Sequence, residues 1–120
     1  YDLPSLFAGK IHAVICRTWQ NRIKGRDLYD YIFYLSKGAA VNQKHLRQRL
    51  LQSGFITPSV ECTLAEIKEM LCERFDQIDY AQAKADVEPF IRNPSVLNIW
   101  SADFFKQITE SLFCDFHRIV

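Results

Sequence analysis

Leu3, Leu6, Phe7, Ile11, Val14 and Ile15 recur at spacings of three and four, the period of a helix with a single apolar face. The same period returns along the rest of the chain, whereas the strict alternation of a strand is scarce. With only four glycines and four prolines in 120 residues, few points exist at which such helices can break. The pattern predicts an all-α domain, an irregular bundle of about six helices over residues 1–120. One residue disturbs it. Lys10 stands three residues after Phe7 and four before Val14, and so falls within the apolar face. A lysine there must snorkel to solvent, find a partner or serve a ligand.

The first helix is expected from about Pro4 to Trp19, with Asp2 near its cap and Pro4 in its first turn. A basic connector broken by Gly25 follows. A second helix is expected from about Asp27 to Lys37, closed by Gly38, with Leu28, Ile32 and Leu35 as its stripe and Tyr29, Phe33 and Tyr34 widening it. Asn42 is read as the cap of a third helix ending at Gly54, with Leu46, Leu50 and Leu51 inward and Lys44, Arg47 and Arg49 on a solvated outer face. Thr63-Leu-Ala-Glu66 is a capping-box pattern opening a fourth, which presents Leu64, Ile67, Leu71 and Phe75. Asp79 caps a fifth that Pro89 ends or kinks. After the Asn93-Pro94 turn comes a short helical piece, then a last helix from about Ser101 that buries Phe104, Phe105, Ile108 and Leu112.

A hydrophobic fraction of 48% suits a chain that buries a core and argues against disorder. No apolar run is long enough to cross a bilayer, and no signal peptide is visible. Cys16, Cys62, Cys72 and Cys114 are dispersed, which argues against zinc and disulfides and for the reducing cytoplasm. Net charge is only +1, but it is unevenly placed: residues 1–54 carry nine Lys and Arg against three Asp and Glu, and residues 55–120 carry six against eleven. One basic and one acidic face follow. Arg17, Arg22, Lys24 and Arg26 crowd the first connector; they read as contacts to nucleotide or RNA phosphate, or as an ordinary solvated loop.

The run Leu-Pro-Ser-Leu-Phe-Ala-Gly-Lys-Ile-His-Ala (residues 3–13), followed by Gly-Arg-Asp-Leu-Tyr-Asp (residues 25–30), resembles the C-terminal half of the AbiEii/AbiGii toxins. These are nucleotidyltransferases of bacterial abortive-infection and type IV toxin–antitoxin systems. In that family a helix bearing Ala-x-Lys-hydrophobic-x-Ala precedes one bearing Arg-Asp-x-x-Asp. Asp86-Val-Glu-Pro-Phe-Ile, followed by Trp100, resembles the family's helical tail. The resemblance implies that Lys10 contacts a triphosphate and that Asp27 or Asp30 completes the catalytic site. It further implies a nucleoside triphosphate donor with Mg2+ in the full-length protein, an RNA acceptor such as tRNA, and an antitoxin partner.

The Gly-Ser and Asp-x-Asp motifs that bind nucleotide and magnesium in such enzymes are absent from this sequence. The chain is therefore read as the C-terminal portion of a larger protein, catalytically inactive alone, without metal or cofactor of its own, and expected to self-associate through apolar surface meant for the missing N-terminal nucleotidyltransferase domain. Other readings of the residues stay open. Lys10 is also explained as a snorkelling side chain, Asp27 as a helix cap, and Asp30 as a partner for Arg17 across an antiparallel hairpin, a register that makes contact between Lys10 and Asp27 doubtful. His12 reads as a surface or partly packed residue, and Trp19 and Trp100 as core or interface anchors. The rival function is a non-enzymatic helical module that binds protein or nucleic acid through its basic half.

Overall fold

The computed structural model describes residues 2–19, 21 and 23–115. Six α-helices follow in order: α1 (Leu3–Trp19), α2 (Gly25–Ser36), α3 (Gln43–Gln52), α4 (Leu64–Phe75), α5 (Tyr80–Val87) and α6 (Ala102–Thr109). Two 3-10 segments, Glu88–Phe90 and Pro94–Ile99, carry the chain from α5 to α6. Among the described residues the only β pairing is a single parallel bridge between Val41 and Cys114. The domain is all-α, an irregular bundle.

Local chemistry explains where the helices start. The side chains of Asn42, Thr63, Asp79 and Ser101 accept hydrogen bonds from His45, Glu66, Gln82 and Phe104 backbone N–H groups, so four helix starts have the caps their sequence advertised. The Glu66 carboxylate in turn accepts from the Thr63 N–H at 2.9 Å and completes the capping box. Gly38 and Gly54 end α2 and α3 at φ of +72° and +80°, a conformation that costs any residue with a Cβ. Pro89 sits in the first 3-10 segment and stops α5 there.

Helix α1 is the hub, packed against α2, α3 and α4, while α2 also meets α5, and α4 meets α6. Phe7, Ile11, Val14 and Ile15 supply its buried stripe, against Leu28 and Tyr31 of α2, Leu46 and Leu50 of α3, and Ile67, Leu71 and Phe75 of α4. The expected stripe of α2 is corrected: Tyr29 and Phe33, expected to widen it, are 45% and 47% exposed. Tyr31 is fully buried, whereas Ile32 and Leu35 are only partly covered. Thr109 makes that burial tolerable for a phenol. Its hydroxyl donates to the Phe105 carbonyl at 2.7 Å and so accepts from the Tyr31 hydroxyl at 2.6 Å. On α6, Phe105 is buried but Phe104 and Ile108 are half-covered, and Leu112, expected on this helix, is buried just beyond its end. Leu3, Leu6 and Trp19 lie more than two-fifths exposed, so both ends of α1 run past the core and Trp19 only leans edge-on against Phe55.

Gly25 does more than break the connector. It is buried as the first residue of α2, and a Cβ there would lie 1.9 Å from the Ala83 carbonyl oxygen. Its N–H donates to Asp86 at 3.0 Å, so α5 caps the start of α2 from outside.

Candidate active-site groove

An open groove of about 650 Å3 runs beside α1, between α2 and α3. Its floor is made by what α1 lacks. Ser5, Gly9, Ala13 and Cys16 follow one another at spacings of three and four opposite the apolar stripe, and their small side chains leave the helix surface open. Charged residues rise on both sides. Lys10 and Arg17 stand toward α2, with Arg26, Asp27 and Asp30 facing them; His12 of α1 stands toward His45 and Arg49 of α3.

The α1–α2 wall is a ladder of two ion pairs. Arg17 Nη1 donates to Asp27 Oδ1 at 2.7 Å, and Lys10 Nζ donates to Asp30 Oδ2 at 3.0 Å. The expected Arg17–Asp30 pair is thereby corrected. The connector is short, so the first turn of α2 stands level with the end of α1, and Arg17 meets Asp27. Asp30 lies one turn further on, and the long lysine side chain spans the remaining offset to reach it. Contact between Lys10 and Asp27, doubtful from the sequence, is not made. Nor is Lys10 enclosed in the apolar face: it sits at its edge, 40% exposed, with its ammonium on the groove side.

The two carboxylates differ in kind. Asp27 is only 9% exposed and uses both oxygens, one on Arg17 and the other on the Lys24 N–H at 2.9 Å. It closes a capping box at the start of α2 and fixes the arginine. Asp30 is 29% exposed and opens onto the groove. Of the cationic connector, Arg26 lines the groove, whereas Lys24 is exposed and lies outside its lining. Arg22 falls outside the described residues.

Arg49 reaches the groove although nothing in its sequence surroundings marks it. Of the expected outer face of α3, Lys44 is exposed and Arg47 holds the Val60 and Pro58 carbonyls at 2.9 Å, but Arg49 turns into the groove. Beside it His12 is half-buried with Nε2 shielded from solvent and, among the described residues, without a hydrogen-bond partner. Burial, then the nearby Arg49, holds its pKa below 6.5. Four cations, Lys10, Arg17, Arg26 and Arg49, thus surround one groove that also holds two aspartates. Such a surface attracts phosphate and keeps carboxylates within reach of it. No group of three or more His, Cys, Asp or Glu among the described residues could hold a metal ion, and both groove aspartates already neutralise a cation. All four cysteines are unbridged, and no helix among the described residues is long and apolar enough to cross a membrane.

No curated protein and no solved structure matches this chain. A family model does, that of the nucleotidyl transferase AbiEii toxin of type IV toxin–antitoxin systems, over residues 1–106. That span contains the whole groove, from Ser5 to Ser53, and five of the six helices with most of α6. The chain therefore belongs to the AbiEii nucleotidyl transferase toxin family.

Proposed function

We propose that this domain supplies the helical wall of a nucleotidyltransferase active site, with Lys10 contacting the triphosphate of the donor nucleotide and Asp30 holding that lysine in place. The carrying observation is the Lys10–Asp30 pair at 3.0 Å, half open on the edge of a four-cation groove. An ammonium has three N–H donors, so Lys10 can keep Asp30 and still bind phosphate oxygens. In the reaction a hydroxyl of the acceptor attacks the α-phosphorus and releases its proton to solvent, a new P–O bond forms, and the bond to the β-phosphate breaks as pyrophosphate leaves. Lys10 and Arg26 neutralise the charge that gathers on the leaving group. Asp27 serves the architecture: it fixes Arg17 and the start of α2.

Magnesium, when bound, would supply Lewis-acid stabilisation of the phosphate charge. With Asp27 and Asp30 both engaged by cations, its protein ligands would have to come from the N-terminal nucleotidyltransferase domain that this reading implies. The acceptor in this reading is RNA, tRNA among the candidates, its backbone drawn to Arg17 and Arg49. An antitoxin is the regulatory partner that membership of a type IV system implies.

The test is nucleotide transfer by the full-length protein. Lys10→Ala and Asp30→Ala should each lower kcat by about a hundredfold or more while leaving Tm nearly unchanged, since exposed pairs contribute only about 0–1 kcal/mol. Asp27→Ala should lower Tm as well. Full activity in both of the first two variants would remove the proposal and leave a binding module.

A further inference from the structure

A second cleft, of about 430 Å3, lies on the far side of Arg26 and Asp30. Helix α2 lends it Tyr29 beside those two, the end of α5 lends Asp86 and Val87, and the segment after α5 lends Phe90 and Ile91. Arg26, Tyr29 and Asp30 fall three and four residues apart, on one face of α2, so this face is a partition: groove on one side, cleft on the other. The two compartments differ in chemistry. The groove has four cations and two aspartates, whereas the cleft sets Tyr29, Val87, Phe90 and Ile91 against the carboxylates of Asp30 and Asp86, with Arg26 shared at the partition.

Phe90 is 86% exposed, more than any other large hydrophobic residue described, and it stands at the rim where its ring contributes nothing to the core. Tyr29 is 45% exposed. Aromatic rings held in the open beside a phosphate-attracting surface are stacking platforms for bases. The two carboxylates would accept hydrogen bonds from an exocyclic amino group, as on cytosine, adenine or guanine; uracil has none, and its one ring N–H is flanked by carbonyl oxygens that carboxylates repel. Asp86 is held ready for this by the Gly25 N–H at 3.0 Å and Gln82 at 3.0 Å, and each of its oxygens keeps a second acceptor position. A compartment of this volume suits one small molecule, and with a single prominent platform it suits one base rather than a run of them.

We propose that this cleft is the nucleobase subsite for the nucleoside triphosphate whose phosphates occupy the groove, and that it selects a base carrying an exocyclic amino group. The inference rests on the reading of the groove as a triphosphate site, and the two can fail separately. Tripolyphosphate and each of ATP, CTP, GTP and UTP are titrated into the 120-residue chain without metal, followed by calorimetry or amide chemical shifts. Tripolyphosphate should bind the wild type and Phe90→Ala alike, and Arg26→Ala more weakly. Phe90→Ala should weaken ATP, CTP and GTP by about fivefold to tenfold, Phe90→Trp should restore them, and UTP should bind most weakly to the wild type. So exposed a side chain can be truncated without loss of Tm, which is measured alongside.

Failure of tripolyphosphate to bind overturns the groove reading itself. Tripolyphosphate binding with no effect of Phe90→Ala on the nucleotides, or UTP binding as tightly as the other three, overturns the base subsite alone. A single-stranded trinucleotide without triphosphate that binds as tightly, with the same dependence on Phe90, also overturns it, because the cleft would then belong to the acceptor.

Discussion

Adding one methyl group at Gly25 should unseat the start of α2. The new Cβ would lie 1.9 Å from the Ala83 carbonyl oxygen, 2.9 Å from its carbon and 3.2 Å from the Asp86 Cβ. The obstacle is mostly backbone, which cannot swing aside as a side chain does. A tolerable C···O approach is about 3.3 Å, so the two helices must part by roughly 1.4 Å. That motion stretches the 3.0 Å bond from the Gly25 N–H to Asp86 beyond hydrogen-bonding range. Overpacking of this kind costs about 1–3 kcal/mol, and losing a hydrogen bond to a charged group adds about 1.5–3. Better helix propensity returns at most about 1 kcal/mol. The net is about 3 kcal/mol, which for a domain of this size lowers Tm by roughly 10–15 °C. Gly9→Ala is the counterpart. Its Cβ meets nothing nearer than Arg49 Nη1 at 3.8 Å, an ordinary contact, so Tm should rise by roughly 2–5 °C. Differential scanning calorimetry of the two variants decides the matter. A Gly25→Ala protein that melts within about 2 °C of wild type would refute the close approach of α2 to α5.

Tyr31→Phe removes a buried donor but leaves Thr109 its bond to the Phe105 carbonyl; denaturant unfolding should show a loss of about 1 kcal/mol, and Thr109→Val a larger one, because it strands the Tyr31 hydroxyl. His12 has a folded-state pKa below 6.5, chiefly through burial. The unfolded chain therefore binds the extra proton first as pH falls, and stability contributed by this group is full above pH 6.5 and declines below it; the fall in Tm between pH 7.5 and 5.5 should shrink in His12→Gln. Burial pushes the Cys62 thiol up to about 11, so iodoacetamide at pH 8 should label the half-buried Cys72 well before Cys62; equal rates by mass spectrometry would contradict the packing around Cys62.

Much of the bundle could be read from residues whose signals are local. Asn42, Thr63, Asp79 and Ser101 announce caps within three residues of themselves, and Gly38 and Gly54 announce stops; all are where the pattern put them. The apolar stripe of α1 was equally plain. What depended on the packing of one helix against another was not. Tyr31 looks like a poor core residue until Thr109, 78 positions away, arrives to receive its hydroxyl. Gly25 looks like a loop glycine until Ala83 presses on it. In the groove, Lys10, Arg17, Asp27 and Asp30 stand out as a group because their helices are consecutive, yet their pairing depends on the length of the connector, so that the expected Arg17–Asp30 pair crosses the ladder actually formed. Arg49 gave no signal at all, since nothing near it in sequence distinguishes a groove arginine from a surface one. The run Ser5, Gly9, Ala13 and Cys16 did carry one, a small-residue stripe opposite the greasy one.

The bridge at Val41 has a consequence for how the molecule comes apart. The Val41 N–H donates to the Phe113 carbonyl and its carbonyl accepts from Asp115, both at 2.9 Å, while the next two amides, of Asn42 and Gln43, go to Pro4 and to the Asp115 carboxylate. Start, middle and end of the polypeptide are thus stitched at one knot. A protease that nicks the exposed Thr57–Ser59 turn would free neither piece, and the amide of Val41 should exchange with deuterium only when every helix lets go together.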